Sequence, residues 1–118
     1  MKEKTDKKYK VVQFDDMEAV PCPCGLTKRA FASQPGGVAS IHRVTITKDS
    51  KLHYHKATTE IYYVLSGHGK LQLDEDILDV GPGNSVLIKP GCRHRAIGEL
   101  EILNIPIPAF DPSDEWFD

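Results

Sequence analysis

His53-Tyr54-His55 sets two imidazoles two residues apart. In an extended segment, residues i and i+2 point to one face, so both rings project together and can share one ion. A turn over Lys56 to Thr59 returns the chain, and Glu60 opens the next segment. A carboxylate there can face the same point from the neighbouring strand. Two nitrogens and one oxygen make half a shell for a divalent transition metal: iron, manganese, zinc or nickel. His94 follows the turn Lys89-Pro90-Gly91-Cys92-Arg93 and begins a later strand that antiparallel pairing can bring to the same wall. Three histidines and a glutamate around an octahedral ion leave two positions open, unlike a closed structural zinc site. The opposing reading is a solvated cluster on a loop, and spacing alone does not separate the two.

Several neighbours bear on the same chemistry. Tyr62 lies two residues beyond Glu60, so its hydroxyl should face the interior, either as the catalytic group that orients a substrate or as a core tyrosine. His42 reads as a non-ligand and His68 as exposed. Arg93 and Arg95 flank an inward His94 and should point outward, which leaves Arg43 as the arginine that could meet a substrate anion. Cys22-Pro23-Cys24 lacks the CxxC spacing and a second pair for a structural zinc site, and reads as two small residues in a Pro-rich turn. Cys92 sits in the turn before His94.

The elements that must position these residues are short strands between turns. Val11 to Phe14 reads as a first strand, Pro21 to Gly25 as a turn, Leu26 to Phe31 as a strand, and Gln34 to Gly37 as a turn. Val38 to Thr47 is rich in β-branched residues, and Lys48 to Ser50 turns the chain. Then come Leu52 to His55, Glu60 to Leu65, Lys70 to Leu73, Ile77 to Val80, Ser85 to Ile88, His94 to Ile97 and Leu100 to Ile105. Gly67, Gly81, Gly83 and Gly91 read as turn glycines at strand ends. This spacing indicates an all-β antiparallel sandwich or barrel with no long helix, save a turn near the end. One domain spans 1–118, with a core over about 38–107, a flexible start over 1–10 and a tail over 108–118 in which Trp116 and Phe117 fold back on the body.

The two sets of ligands sit in patterns that resemble the cupin superfamily, in particular its small single-domain members. The family's first motif is HxH, three or four residues, E, six residues, G; here it reads His53-x-His55, four residues, Glu60, six residues, Gly67. The second centres on PxG, two residues, H; here it reads Gly83, five residues, then Lys89-Pro90-Gly91-Cys92-Arg93-His94. Fifteen residues, His68 to Pro82, separate the two. The resemblance covers about Val38 to Ile107. Thr47, Lys89 and Gly98 stand where the family often has Gly, Pro and Asn, all turn or support positions. The resemblance implies a double-stranded β-helix, or jelly-roll barrel, of two antiparallel sheets. It also implies one divalent metal held by His53, His55, Glu60 and His94 near the wide mouth, and often a homodimer.

A net charge of −2 gives no electrostatic reason to expect nucleic acid or an anionic membrane. Five lysines in the first ten residues are interrupted by Glu3 and Asp6 and precede no apolar run, so neither a secretory signal nor a membrane span is expected, and a cytoplasmic location follows by default. Three cysteines, an odd number, argue against a disulfide framework. Two functions fit. One is a metal-dependent enzyme of dioxygenase, sugar-phosphate isomerase or decarboxylase type, acting on a small polar metabolite. The other is a non-catalytic module that binds or senses a sugar or metabolite; a storage role is a weaker third. Ile61 and Tyr63 alternate outward and are large, which suits a homodimer face.

Overall fold

The computed structural model describes residues 7–32 and 37–118. A 3-10 turn, Phe14–Asp16, precedes seven strands: β1 (Val20–Cys22), β2 (Gly25–Ala30), β3 (Ile41–Ile46), β4 (Thr59–Leu73), β5 (Asp76–Val80), β6 (Ser85–Ile88) and β7 (His94–Ile107). A second 3-10 turn, Pro112–Asp114, follows. Every pairing is antiparallel, in the order β1-β2-β3-β7-β4-β5, with β6 also on β4. The first part of β4 pairs β6 and the last part pairs β5, so the two long central strands β4 and β7 tie both sheets of the barrel together. No helix among the described residues is long and apolar enough to cross a membrane.

Alternation builds the interior. On β7, His94, Ala96, Leu100, Ile102 and Pro106 are buried, all even-numbered positions on one face. On β4, Glu60, Tyr62 and Val64 point inward, and an irregularity between Val64 and Ser66 then reverses the parity so that Leu71 is the next buried residue. The core gathers these with Val44, Ile46, Val80 and Ile88.

Several expected boundaries are corrected. Val11 to Phe14 forms no strand; Gln13 instead caps the 3-10 turn. Within the expected turn Pro21 to Gly25, only Pro23 and Cys24 turn, because Val20–Cys22 pairs with β2. Leu52 to His55 is not a strand but joins its neighbours through two single bridges, His53 to His94 and Tyr54 to Trp116. The pairs of segments 60–65 with 70–73, and 94–97 with 100–105, are each one continuous strand. Gly67 therefore lies inside β4 and not at a strand end. Its φ is 89°, and a Cβ there would meet the Glu99 carbonyl oxygen at 2.6 Å, so the bend closes only on glycine. The turn expected at Gln34 to Gly37 and the lysine-rich start fall largely on residues 33–36 and 1–6, outside the described residues.

Candidate metal centre

Four sequence-predicted ligands meet at one end of the barrel. Glu60 is the second residue of β4 and His94 the first of β7, both with side chains turned into the core. His94 Nε2 lies 2.9 Å from Glu60 Oε1, and His55 Nε2 lies 3.2 Å from the same oxygen. His53 bridges His94 backbone to backbone, which brings their ring centroids to 4.4 Å. One nitrogen from each of His53, His55 and His94 falls within 4.8 Å of the others.

All three imidazoles are oriented in the same way. Nδ1 of His53 contacts the Lys51 carbonyl oxygen at 2.9 Å, that of His94 the Cys92 carbonyl at 2.9 Å, and that of His55 the Asp114 carbonyl at 2.6 Å. A carbonyl only accepts, so each Nδ1 carries a proton and donates it. Each Nε2 is thereby presented as the ligating nitrogen. His55 Nε2 is buried and lies 3.2 Å from Glu60 Oε1, but it is not aligned with that oxygen as a hydrogen bond. An unpaired buried nitrogen is costly unless something occupies the space before it.

The charges agree. Burial works against ionised Glu60, but the His55 and His94 imidazoles beside it outweigh burial and hold the carboxyl well below the usual range. Burial likewise works against protonated His55, yet Glu60 pushes it up to about 9. His53 is shifted down by burial and then by His94. The meeting point of these groups calls for positive charge, carried by a proton or by a metal ion. A three-nitrogen, one-carboxylate set on an all-β wall fits a divalent transition metal.

The C-terminal tail holds the loop that carries His53 and His55. Asp114 accepts hydrogen bonds from the backbone N–H groups of Lys56 and Ala57 at 3.0 Å each, from Thr58 Oγ1 at 2.9 Å and from Trp116 Nε1 at 3.0 Å. Tyr54 and Trp116 exchange both backbone hydrogen bonds. Lys56 lies over the Trp116 ring at 3.7 Å, and Lys51 over Phe117 at 4.9 Å. Arg93 pairs with Asp118 and stacks on Tyr54 at 3.5 Å. Trp116 and Phe117 do fold back as expected, and they do so against the segment that carries His53 and His55. This role of the tail was not visible in the sequence, because it depends on contacts some 60 residues apart in the chain.

Beside the four residues lies a cavity of about 220 Å³. Tyr62 lines it, with its ring 6.0 Å from that of His94. Burial, then the nearby Glu60 charge, raises the Tyr62 hydroxyl well above its ordinary value, so it stays protonated. Cys22 and Cys24 also reach the cavity, with sulfurs 3.3 Å apart; burial, then Cys22, pushes the Cys24 thiol up to about 12. Arg43 is not at this site: its guanidinium is paired with Glu101 through two contacts of 3.1 Å elsewhere on the barrel. The cavity's arginine is Arg29, which sequence reasoning passed over. Thr27 and Asn104 were missed as well. The parity of β2 and β7 carries the signal: Thr27 and Arg29 share a face, and Asn104 is in phase with His94. His42 lines the cavity as a non-ligand, with Nε2 3.0 Å from Ser40 Oγ.

Comparison with known proteins agrees with this architecture. The cupin domain family matches residues 34–104. A solved structure of a protein from Planctomyces limnophilus is 40% identical, with a TM-score of 0.86, covering 92% of this chain and 96% of that one. An uncharacterized protein of Methanocaldococcus jannaschii is 33% identical over 75 residues, 60% of each chain, so the match spans well under two thirds of that relative. The Streptomyces nucleoside dehydratase Pac13 shares the fold at 22% identity, with a TM-score of 0.74 over 93% of this chain and 90% of that one.

Proposed function

This chain belongs to the cupin family, and from that premise we propose that it is a metal-dependent enzyme acting on a small polar metabolite. His53, His55, Glu60 and His94 hold one divalent ion. The observation that carries the reading is the common orientation of the three imidazoles. Each Nδ1–H is spent on a backbone carbonyl, and the buried His55 Nε2 has no aligned hydrogen bond, only the Glu60 oxygen 3.2 Å away. A solvated histidine cluster has no need of three such restraints.

When bound, the ion supplies a Lewis acid for a substrate oxygen. The chain supplies the rest. Asn104 Nδ2 donates to Glu60 Oε2 at 3.0 Å and fixes the carboxylate's second oxygen. The apolar walls Val44, Ile46 and Ile102 exclude water from the cavity. Tyr62, kept protonated, donates a hydrogen bond to an oxygen in the cavity and cannot serve as a general base near neutral pH. Relatives of this fold include a nucleoside dehydratase and an oxalate decarboxylase, which supports catalysis in such a cavity without selecting the reaction. A second copy of the chain would cover the outward face that carries Ile61, Tyr63 (40% exposed) and Leu87 (59% exposed); light scattering that returns a monomeric mass rejects this dimer.

The test is turnover across a panel of small hydroxy and oxo acids, sugars and nucleosides. Product formation that stops on chelation and returns with one specific ion supports the enzyme. Tight binding with no product after long incubation supports a binding module instead.

A further inference from the structure

We propose that the cavity selects a small carboxylate carrying a hydroxyl or amino group a few carbons away, with Arg29 receiving the carboxylate and Asn104 the donor. The inference deepens the reading of this cavity as the ligand site.

Four buried side-chain atoms among the described residues have no hydrogen-bond partner: Thr27 Oγ1, Arg29 Nε, His55 Nε2 and Asn104 Oδ1. All four residues line the same cavity. His55 Nε2 faces Glu60 Oε1 and belongs to the candidate metal centre. The other three are polar atoms on one wall, and orphaned buried groups gathered around one space point to an absent ligand.

Their chemistry describes it. Asn104 donates Nδ2 to Glu60, which can only accept, so the amide orientation is set and Oδ1 is left as a bare acceptor. It asks for a ligand O–H or N–H. Arg29 lies over the Phe110 ring at 4.6 Å and has no ion-pair partner among the described residues. Stacking holds a guanidinium flat and leaves its edge free, the geometry that takes a carboxylate. Among the described residues, Arg29 is the one arginine or lysine on the cavity wall. A lone guanidinium suits a monoanion better than a phosphate, which collects several cationic or backbone donors.

Placement gives size and direction. Arg29, His42, Asn104 and Tyr62 are successive register partners across β2, β3, β7 and β4. Arg29 and Asn104 are therefore two strands apart, roughly 10 Å between backbones at ordinary strand spacing. Both side chains project from the same wall and can lean toward each other, so a ligand of three to five carbons lying along that wall reaches both, in keeping with about 220 Å³. Glu60 and Glu115 also line the cavity. Their charges repel an anion from the end that holds Glu60 and leave the Arg29 end to the carboxylate. His42, between the two, is shifted down to about 4 by burial and then by Arg29, and stays neutral at physiological pH.

Calorimetry with three probe sets tests this: 3-hydroxypropionate, 4-hydroxybutyrate and 5-hydroxyvalerate; their neutral amides; and the same acids without the hydroxyl. The wild-type protein, its metal content measured, should bind at least one hydroxy acid about tenfold more tightly than its amide and its deoxy acid. Arg29→Gln should abolish the acid-over-amide preference, and Arg29→Lys should retain part of it. Asn104→Ala should abolish the preference for the hydroxyl. Equal binding of acid and amide, a preference that survives Arg29→Gln, or no binding of any probe overturns the proposal. Metal content is read separately, so a protein that lacks metal yet keeps the charge preference counts against the metal and for this inference.

Discussion

Glu60 and His94 stand on long strands, with side chains 6% and 0% exposed, whereas His53 and His55 stand on a loop that makes only single bridges to its neighbours. The first pair is positioned by the β4–β7 ladder and the core beneath it. The second is positioned by the single bridge from His53 to His94 and by the tail, through Asp114 and Trp116. One half of the centre is therefore as rigid as the barrel, and the other is only as rigid as its tail. A site built this way holds its acid and one imidazole fixed while a short strap sets the other two.

The comparison breaks most clearly on His94. His94→Ala removes a fully buried imidazole and leaves buried Glu60 short of a partner. Urea unfolding of the metal-free protein should show a loss of about 3–5 kcal/mol, against about 1 kcal/mol for His53→Ala on the loop. Equal losses would mean that the two halves are equally anchored.

A pH effect follows on the strand side. His42 sits among the strands, 3% exposed, with its folded value lowered to about 4 from an ordinary 6.5, first by burial and then by the Arg29 charge. Between those values the unfolded chain binds a proton that the folded chain does not. Stability is therefore full above about pH 6.5 and falls as pH drops toward 4, by up to about 3 kcal/mol. His42→Gln should flatten that part of the stability–pH curve relative to wild type. An unchanged slope would show that other groups set it.

On the loop side, Asp114→Ala removes three hydrogen bonds that shape the 56–58 turn and a fourth from Trp116, and so shifts the Asp114 carbonyl that orients His55. Metal affinity, read by competition with a coloured chelator, should fall about 10- to 100-fold with a smaller change in unfolding free energy. An affinity that stays at wild-type level would leave the strap without a role at the centre. The smallest effect is expected at Arg93→Ala, which breaks an exposed pair with Asp118 (34% and 66% exposed) and should cost less than about 1 kcal/mol.

The same division decides what could be read in advance. The clustering of His53, His55, Glu60 and His94, the strand content and the antiparallel barrel were legible because His-x-His, Glu60 and His94 sit in a fixed spacing and the strands alternate cleanly. Gly98 and Glu99 read as a break between strands, yet β7 runs through them, with Gly98 at φ 96° and its N–H bound by Asp49 Oδ1. That false break hid the continuous parity from His94 to Asn104. Arg43 was preferred over Arg93 and Arg95, and Arg29 was passed over, because the phase of the early strands is not evident without their partners; the register Arg29 to His42 to Asn104 settles it. The tail has no period to read, since its place is set by Asp114 capping distant backbone groups.

Elemental analysis of untagged protein, wild type beside His53→Ala and His94→Ala, tests the metal centre most directly. The expected result is near one equivalent of one ion in the wild type, lost in both variants while each remains folded by circular dichroism. No ion in the wild type, even after reconstitution with iron, manganese, zinc and nickel in turn, would contradict the centre and leave a metal-free binding barrel.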